Sequence, residues 1–141
     1  MSITAPTDLQ ALITAKEAAE GTNDVDSILA VFCENPVFEF YPTRRRIAGR
    51  ENVRRFYEQM LANFVPRLEG YRALQVFWSD TGMAMEEELT VRLDGGRTQV
   101  HQFMVITGVS DGRLWGERLY GDEAFFRQLL GDLYDQAEPI T

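Results

Sequence analysis

The chain has 141 residues, of which 45% are hydrophobic and 26% are charged, and its formal net charge is −8. This balance is typical of a globular domain that can bury its own core. The negative charge argues against nucleic-acid binding, which depends on lysine and arginine side chains that neutralise phosphates.

The hydrophobic pattern predicts three helices in the N-terminal half of the chain. The first covers residues 8–20, where apolar side chains recur at helical spacing. The second is capped by Asn23 or Asp24 and ends at Asn35-Pro36, because a residue before proline is pushed out of helical geometry. A short strand, a basic loop and the third helix follow, over residues 37–41, 42–48 and 49–63.

The period of the pattern then changes to two, which is typical of strands. Four long strands separated by glycine-containing turns, and a short last helix, are predicted over residues 71–79, 83–93, 97–109, 113–120 and 123–130. Because helices and strands are segregated, the expected fold is α+β. We expect a cone-shaped, strongly curved antiparallel sheet wrapped around the three N-terminal helices. Clefts between such layers are where small molecules usually bind.

Four local motifs resemble the nuclear transport factor two superfamily. They are NDVDSI at 23–28, VFEF at 37–40, GRENVRRFY at 49–57 and DGRLWGERLYGD at 111–122. Within this superfamily the chain looks most like SnoaL-like polyketide cyclases and ketosteroid isomerases. The resemblance covers nearly the whole chain and implies a cystatin-like α+β barrel. It also implies a homodimer formed through the convex face of the sheet, with Leu114, Arg118 and Tyr120 in the interface.

The catalytic positions of these families hold other residues in this chain. The resemblance places the aspartate base of the isomerases at Phe40 and their oxyanion-hole tyrosine at Lys16. Their second oxyanion-hole aspartate falls near Gln102 or Met104, and the aspartate of the cyclases falls on Leu119. The chain therefore resembles the fold without the known catalytic sets, although the superfold also hosts hydrolases, dehydratases and binding proteins.

Strand alternation nevertheless points two carboxyl groups into the apolar interior. Glu117 shares the face of Leu119, which the resemblance places in the pocket, and Glu87 lies among apolar residues of its own strand. Lys16 lies on the apolar face of the first helix. A carboxyl group buried among apolar groups has a raised pKa and can act as a general acid or base near neutral pH.

We therefore hypothesise that Glu117 is a catalytic acid or base. Glu87 and Lys16 would orient the substrate or stabilise an enolate, together with Tyr57, which the resemblance identifies as a supporting tyrosine. His101 could take part if it faces the pocket. The alternative is that a buried glutamate–lysine pair is structural, because buried charges persist when they are paired.

The expected substrate-binding residues are mostly apolar side chains of the interior. The resemblance places the face of Gln102 on the pocket side, which would direct His101 to the convex side. The three arginines at 44–46 are interpreted as part of a solvated loop that pairs with nearby acids. The alternative is that, near the pocket mouth, they bind an anionic substrate. The complete predicted set is Phe38, Phe40, Phe56, Leu89, His101, Gln102, Met104, Trp115 and Leu119.

Three functions remain open from the sequence. The first is an isomerase, cyclase or dehydratase that moves protons on a hydrophobic cyclic or polyketide-like molecule. The second is a non-catalytic protein that binds such a molecule, and the third is a dimerisation module whose pocket is filled by its own side chains. One histidine and one cysteine do not make a zinc site, so we expect neither a metal nor an organic cofactor.

Residues 1–6 have neither the basic nor the apolar region of a signal peptide. No apolar run reaches the roughly 20 residues that cross a bilayer. The single cysteine, Cys33, cannot form an internal disulfide, which suits a reducing compartment. We therefore expect a cytoplasmic protein without nucleic-acid or membrane partners, made of one domain over residues 1–141 with an ordered core over about 8–134.

Overall fold

The computed structural model describes residues 7–141. Five helices have the bounds Thr7–Gly21 (α1), Val25–Ala30 (α2), Arg50–Gln59 (α3), Glu123–Leu130 (α4) and Leu133–Gln136 (α5). Seven strands have the bounds Phe32–Tyr41 (β1), Arg45–Ala48 (β2), Leu68–Trp78 (β3), Gly82–Arg92 (β4), Thr98–Ser110 (β5), Arg113–Tyr120 (β6) and Glu138–Pro139 (β7). No helix among these residues is long and apolar enough to cross a membrane.

The strands form one curved, open sheet in the order β3-β4-β5-β6-β1-β2-β7. The predicted meander of four long strands, β3 to β6, is confirmed, and all its neighbours are antiparallel. The pair β1 and β6 is parallel, so the N-terminal strands join the sheet beside its last long strand. The predicted α+β cone is therefore confirmed, with one parallel pair inside it.

Aromatic side chains hold α3 against the concave face of the sheet. Phe38 and Phe40 alternate with outward residues along β1, so both point at the helix. The Phe38 ring lies 5.3 Å from the Phe56 ring and 5.9 Å from the Tyr57 ring, in edge-on or tilted contacts that aromatic pairs favour. Each phenylalanine buried in this way stabilises the fold by about 2 kcal/mol or more.

The segment between α2 and α3 differs from the prediction. The second helix ends at Ala30, and β1 begins at Phe32, which pairs with Leu114 of β6. Asn35-Pro36 therefore does not end a helix but lies in an irregular stretch of β1, where the register with β6 shifts. Such bulges tolerate proline because no ladder hydrogen bond is required there.

Two further segments predicted as loop and tail are paired strands. The basic loop contains β2, which pairs with β1, and residues Glu138–Pro139 form β7 beside it. Arg46 binds Glu138 at 3.1 Å, and Arg45 stacks on the Tyr134 ring at 4.3 Å. The arginines therefore attach the C-terminal segment to the sheet, and the predicted pairing of this loop with nearby acids is seen in the Arg46–Glu138 ion pair.

A bulge at Gly116 decides which residues of β6 face inward. Between Ile106 and Val109 of β5 the register shifts by one residue against β6, and Gly116 has φ +135°. The alternation therefore inverts, so Leu114 and Glu117 both point into the cone. The prediction of Leu114 in an outer interface row is thus wrong, because this side chain is fully buried.

We predict that Gly116→Ala strongly destabilises the fold. Alanine strains a backbone at positive φ, and its Cβ would overlap the Val37 carbonyl group. Together these effects should lower the free energy of unfolding by about 3 kcal/mol or more, as measured by urea denaturation. Gly112→Ala is the matched control, because φ is +77° but nothing lies within 4 Å of the added Cβ. It should lose only about 1 kcal/mol. Equal losses would show that the Gly116 bulge is not a constraint.

Candidate active site

The cone encloses a cavity with two adjoining chambers. The first, here the aromatic chamber, has a volume of about 200 Å³ and is lined mainly by Phe56, Tyr57, Phe64, Phe103, Phe125 and Leu129. The second, here the α1 chamber, has a volume of about 590 Å³ and lies between α1 and the sheet, against Ile13, Glu17, Ala73, Met83, Met85 and Thr107. Both chambers share a wall made of Lys16, Glu20, Tyr71, Glu87, Val105 and Glu117.

The polar groups of the cavity are concentrated on this shared wall. The Lys16 ammonium lies 2.6 Å from a carboxylate oxygen of Glu20, one turn later on α1, and 3.8 Å from a carboxylate oxygen of Glu117 on β6. Burial lowers the pKa of Lys16, but attraction to Glu117 and its other acidic neighbours outweighs burial and raises the pKa well above 10.5. Lys16 therefore remains charged.

Glu117 is 7% exposed and stands directly after the Gly116 bulge, which turns it inward. Burial raises the pKa of its carboxyl group above 4.5, although the adjacent Lys16 ammonium opposes that shift. Glu117 is therefore a buried, paired carboxyl group, as the sequence predicted.

Glu87 is 8% exposed and lies opposite Phe103 in the β4–β5 ladder. Burial raises its pKa to about 7, although the nearby Tyr71 hydroxyl opposes that shift; the charge of Glu117 raises the pKa further. No ion pair within 4.0 Å joins Glu87 to a cation among residues 7–141. Near neutral pH this group can therefore both accept and donate a proton.

Tyr57 completes the cluster on the aromatic side. Tyr57 is 1% exposed, and its hydroxyl has no hydrogen-bond partner of good geometry among the described residues. Burial raises its pKa well above 10, although the nearby Lys16 charge opposes the shift. Tyr57 is thus a neutral hydroxyl that is free to bind a polar atom of a ligand.

Together these groups form a cluster of ionisable and hydroxyl side chains in a mostly apolar cavity. Two buried carboxyl groups have different environments, because Glu117 faces an ammonium group and Glu87 faces a phenol. Carboxyl groups separated in this way can divide the roles of proton donor and acceptor. The Lys16 ammonium and the Tyr57 hydroxyl can stabilise negative charge that develops on a substrate oxygen.

The structure brings together the predicted residues Lys16, Tyr57, Glu87 and Glu117. Of the predicted binding residues, Phe56, Leu89 and Leu119 also line the aromatic chamber. Phe38 and Phe40 are fully buried but lie in the core behind this chamber, where they support Phe56.

The predicted orientation of β5 is wrong. Gln102 is exposed and Met104 is half-buried on the convex face, whereas Phe103 lines the cavity. The cause is register, because Phe103 pairs with Glu87 and residues opposite each other in a ladder share a face. His101 shares this inward face and is 3% exposed, but it binds the Gln128 amide oxygen at 2.8 Å outside the cavity.

Trp115 was expected on the face of Glu117, and the structure places it on the opposite face. The extra residue at Gly116 inverts the alternation, so Trp115 lies on the convex side, where the Arg118 guanidinium stacks on its ring at 5.1 Å. The alternation of the sequence cannot reveal this inversion. One bulge reverses the predicted inward or outward direction of every side chain that precedes it in the strand.

Several residues that line the cavity were not predicted from the sequence. Glu20 follows Lys16 by four residues on α1, a spacing that places both on one helix face. Phe103 could have been found from the alternation of β5. Tyr71 and Phe125 carried no comparable signal, because their positions depend on the pairing of β3 and on the packing of α4.

Comparisons with known proteins support the fold. No protein-family model and no curated protein sequence matches the chain. A structure from Jannaschia sp. CCS1, provisionally named a SnoaL-like polyketide cyclase, is 16% identical, with 93% of this chain and 99% of that one covered and a TM-score of 0.71. An NTF2-like protein from Burkholderia pseudomallei K96243 is 13% identical, with 89% and 99% covered and a TM-score of 0.67.

A third structure, from Mycobacterium tuberculosis, was solved in complex with estradiol-17β-hemisuccinate. It is 20% identical, with 84% of this chain and 97% of that one covered and a TM-score of 0.68. These likenesses establish the fold. The chain therefore has the NTF2-like cone fold, and the resemblance seen in its motifs is confirmed at that level.

We predict that Glu87→Gln stabilises the protein in mild alkali. The folded pKa of about 7 exceeds the ordinary 4.5, so the folded state binds this proton more tightly than the unfolded state does. The resulting stability is complete below pH 4.5 and is lost as the pH rises through 7. Glutamine does not ionise, so at pH 8 the variant should gain about 2 kcal/mol in the free energy of unfolding over the native chain.

Urea denaturation at pH 4 and pH 8 measures this effect. Glu86→Gln, on the exposed neighbour that faces the convex side, is the control and should change little at either pH. If Glu87→Gln changed the free energy of unfolding by the same amount at pH 4 and pH 8, that result would contradict a raised pKa of Glu87.

Proposed function

We propose that the protein binds a hydrophobic cyclic or polyketide-like molecule and catalyses proton transfer on it, as an isomerase, cyclase or dehydratase without a metal or organic cofactor. The observation that supports this proposal is the cluster of Lys16, Glu87 and Glu117 on one wall of an apolar cavity. A cavity of this size, mostly apolar with a few converging polar groups, suits a small organic ligand.

In the proposed reaction Glu87 carries the proton. Its carboxylate removes a proton from a carbon next to a substrate carbonyl group, and the electron pair moves onto the carbonyl oxygen. Lys16 and Tyr57 stabilise the resulting enolate. The Glu87 carboxylic acid then returns the proton to a different carbon for an isomerisation, or to a leaving hydroxyl group, which departs as water, for a dehydration. A cyclisation instead joins the enolate carbon to a second carbonyl carbon of the same substrate, whose oxygen takes up the proton.

This assignment gives Glu117 a different role from the sequence-based hypothesis. Glu117 faces the Lys16 ammonium at 3.8 Å, so it serves here to hold that cation in place. Glu87 has no such cation and titrates near pH 7, which suits a group that must take up and release a proton in each cycle.

Known structures of the same fold support a small-molecule ligand. The Mycobacterium tuberculosis protein holds a steroid ester, and the Jannaschia protein carries a provisional name that refers to polyketide cyclisation. A steroid contains several fused rings, and polyketide cyclisation forms rings. Hydrophobic ring systems of this kind suit an aromatic chamber.

The second candidate function is non-catalytic binding of the same class of molecule. It is favoured by the replacement of the aspartates that the resemblance implies, because apolar residues stand at Phe40 and Leu119. A ligand would still fill the aromatic chamber and contact the hydroxyl of Tyr57.

The proposal includes a homodimer formed through the convex face of the sheet. Phe77 and Val100 are each 56% exposed on this face, and Tyr120 is 41% exposed. Exposed apolar side chains grouped on one face are typical of a protein interface. A cytoplasmic location is also part of the proposal, because the unpaired Cys33 suits a reducing compartment.

Deuterium exchange tests the proposed catalysis without knowledge of the natural substrate. We expect the native protein to accelerate the exchange of α-hydrogens of 2-tetralone, a hydrophobic cyclic ketone, for deuterium in D₂O buffer near neutral pH. Glu87→Gln should lower the protein-dependent rate at least about 100-fold, whereas Glu86→Gln should not change it. Mass spectrometry measures the incorporation.

The outcomes separate the two candidate functions. Bound 2-tetralone without accelerated exchange would favour non-catalytic binding. Full exchange activity of Glu87→Gln, with activity lost in Glu117→Gln, would return the proton-carrying role to Glu117.

Analytical ultracentrifugation tests the proposed dimer. The native protein should sediment as a dimer and Val100→Glu as a monomer, because a charge buried in an apolar interface is strongly unfavourable. Ala62→Glu adds the same charge at an exposed site in the π-helical segment Met60–Phe64, which follows α3, and should remain dimeric. A native monomer, or a dimeric Val100→Glu, would reject this interface.

A further inference from the structure

The charges that line the cavity are strongly unbalanced. Four carboxyl groups border it, those of Glu17, Glu20, Glu87 and Glu117, against the single ammonium group of Lys16. No arginine contributes to the described lining of either chamber. The cavity therefore has a negative potential, which the net charge of −8 reinforces.

The one ammonium group is already engaged within the protein. Lys16 lies 2.6 Å from Glu20 and 3.8 Å from Glu117, so two carboxylates share its charge. Among residues 7–141, neither Glu17 nor Glu87 forms an ion pair within 4.0 Å. The charge of Glu17 and the ionised fraction of Glu87, whose pKa is about 7, therefore leave uncompensated negative charge facing the α1 chamber, where an anionic ligand group would be repelled.

A separate observation indicates that the aromatic chamber, next to this wall, is built to bind a polar atom. Tyr57 is 1% exposed and lines the aromatic chamber. Its hydroxyl has no hydrogen-bond partner of good geometry among the described residues. A buried hydroxyl without a partner destabilises the fold unless a ligand or water satisfies it. The apolar chamber, the free hydroxyl and the carboxylates thus lie in sequence along one cavity.

From this arrangement we infer that the ligand is a hydrophobic amine. Its ring system occupies the aromatic chamber, a polar atom reaches Tyr57, and its protonated nitrogen lies in the α1 chamber beside Glu17, which leaves Glu87 without a cation and able to carry the proton. A protonated amine donates charge-assisted hydrogen bonds to carboxylates, which are stronger than those of a neutral alcohol. This inference rests on the proposed function and specifies the charge of its substrate.

Three probes of nearly equal shape test the inference. 2-Naphthylmethylamine, 2-naphthalenemethanol and 2-naphthoic acid present a cation, a neutral hydroxyl and an anion on the same ring system. Isothermal titration calorimetry should give the order amine, alcohol, acid, with the amine bound about tenfold more tightly than the alcohol, the ratio expected from one charge-assisted hydrogen bond.

Variants then locate the source of the preference. Glu17→Gln lies at the exposed edge of the α1 chamber, where it does not disturb the core, and should reduce the amine preference severalfold. Glu58→Gln removes the same charge from the outer surface of α3 and should leave the preference unchanged.

The results separate this inference from the proposed function. Alcohol or acid bound as tightly as the amine, in a cavity that accepts the naphthyl ring, would overturn the inference and leave the proposed function intact. An amine preference that Glu17→Gln and Glu58→Gln reduce equally would also overturn it, because the effect would then reflect net charge. Binding of none of the probes by the native protein would contradict both.

Discussion

The ion pairs of Lys16 tie the first helix to the sheet inside an apolar enclosure. Its ammonium group lies 2.6 Å from Glu20 on its own helix and 3.8 Å from Glu117 on β6. Removing one partner of a buried pair leaves the other charge without compensation, which is more unfavourable than losing an exposed ion pair. The position of α1 over the sheet, and with it the shape of both chambers, therefore depends on this cation.

The same cation makes the two buried carboxyl groups chemically different. Glu117 lies close enough to Lys16 for an ion pair, whereas Glu87 is left with the Tyr71 hydroxyl and has a pKa of about 7. The fold thus places on one wall a carboxyl group that is paired with an ammonium group and another that is not. That difference arises from β6, where the Gly116 bulge aims Glu117 at α1. The Gly116 bulge therefore sets the direction of the Glu117 side chain, and through it the ion pair with Lys16.

The sequence predicted the elements whose patterns are local. The helical stripe of α1 was sufficient to predict that Lys16 faces inward, and the alternation of β4 was sufficient to predict the same for Glu87. Each of these patterns depends on one element only. The register between neighbouring strands cannot be predicted from the pattern of a single strand. His101 and Trp115 were assigned to the wrong faces because the first depends on pairing with β4 and the second on a bulge. The strand β7 was missed because a two-residue strand has no period, and the side chain of Arg46 holds it in place.

A ¹³C NMR titration of the glutamate side-chain carboxyl groups tests the central claim most directly, namely that the cavity wall holds a carboxyl group poised between its two protonation states at neutral pH. We expect a Glu87 midpoint near 7, well above the ordinary 4.5 of a glutamate. The resonance assigned to Glu87 should disappear in Glu87→Gln. A Glu87 midpoint near 4.5 would mean that the group is solvated like a surface glutamate, which would contradict the proposed acid–base site.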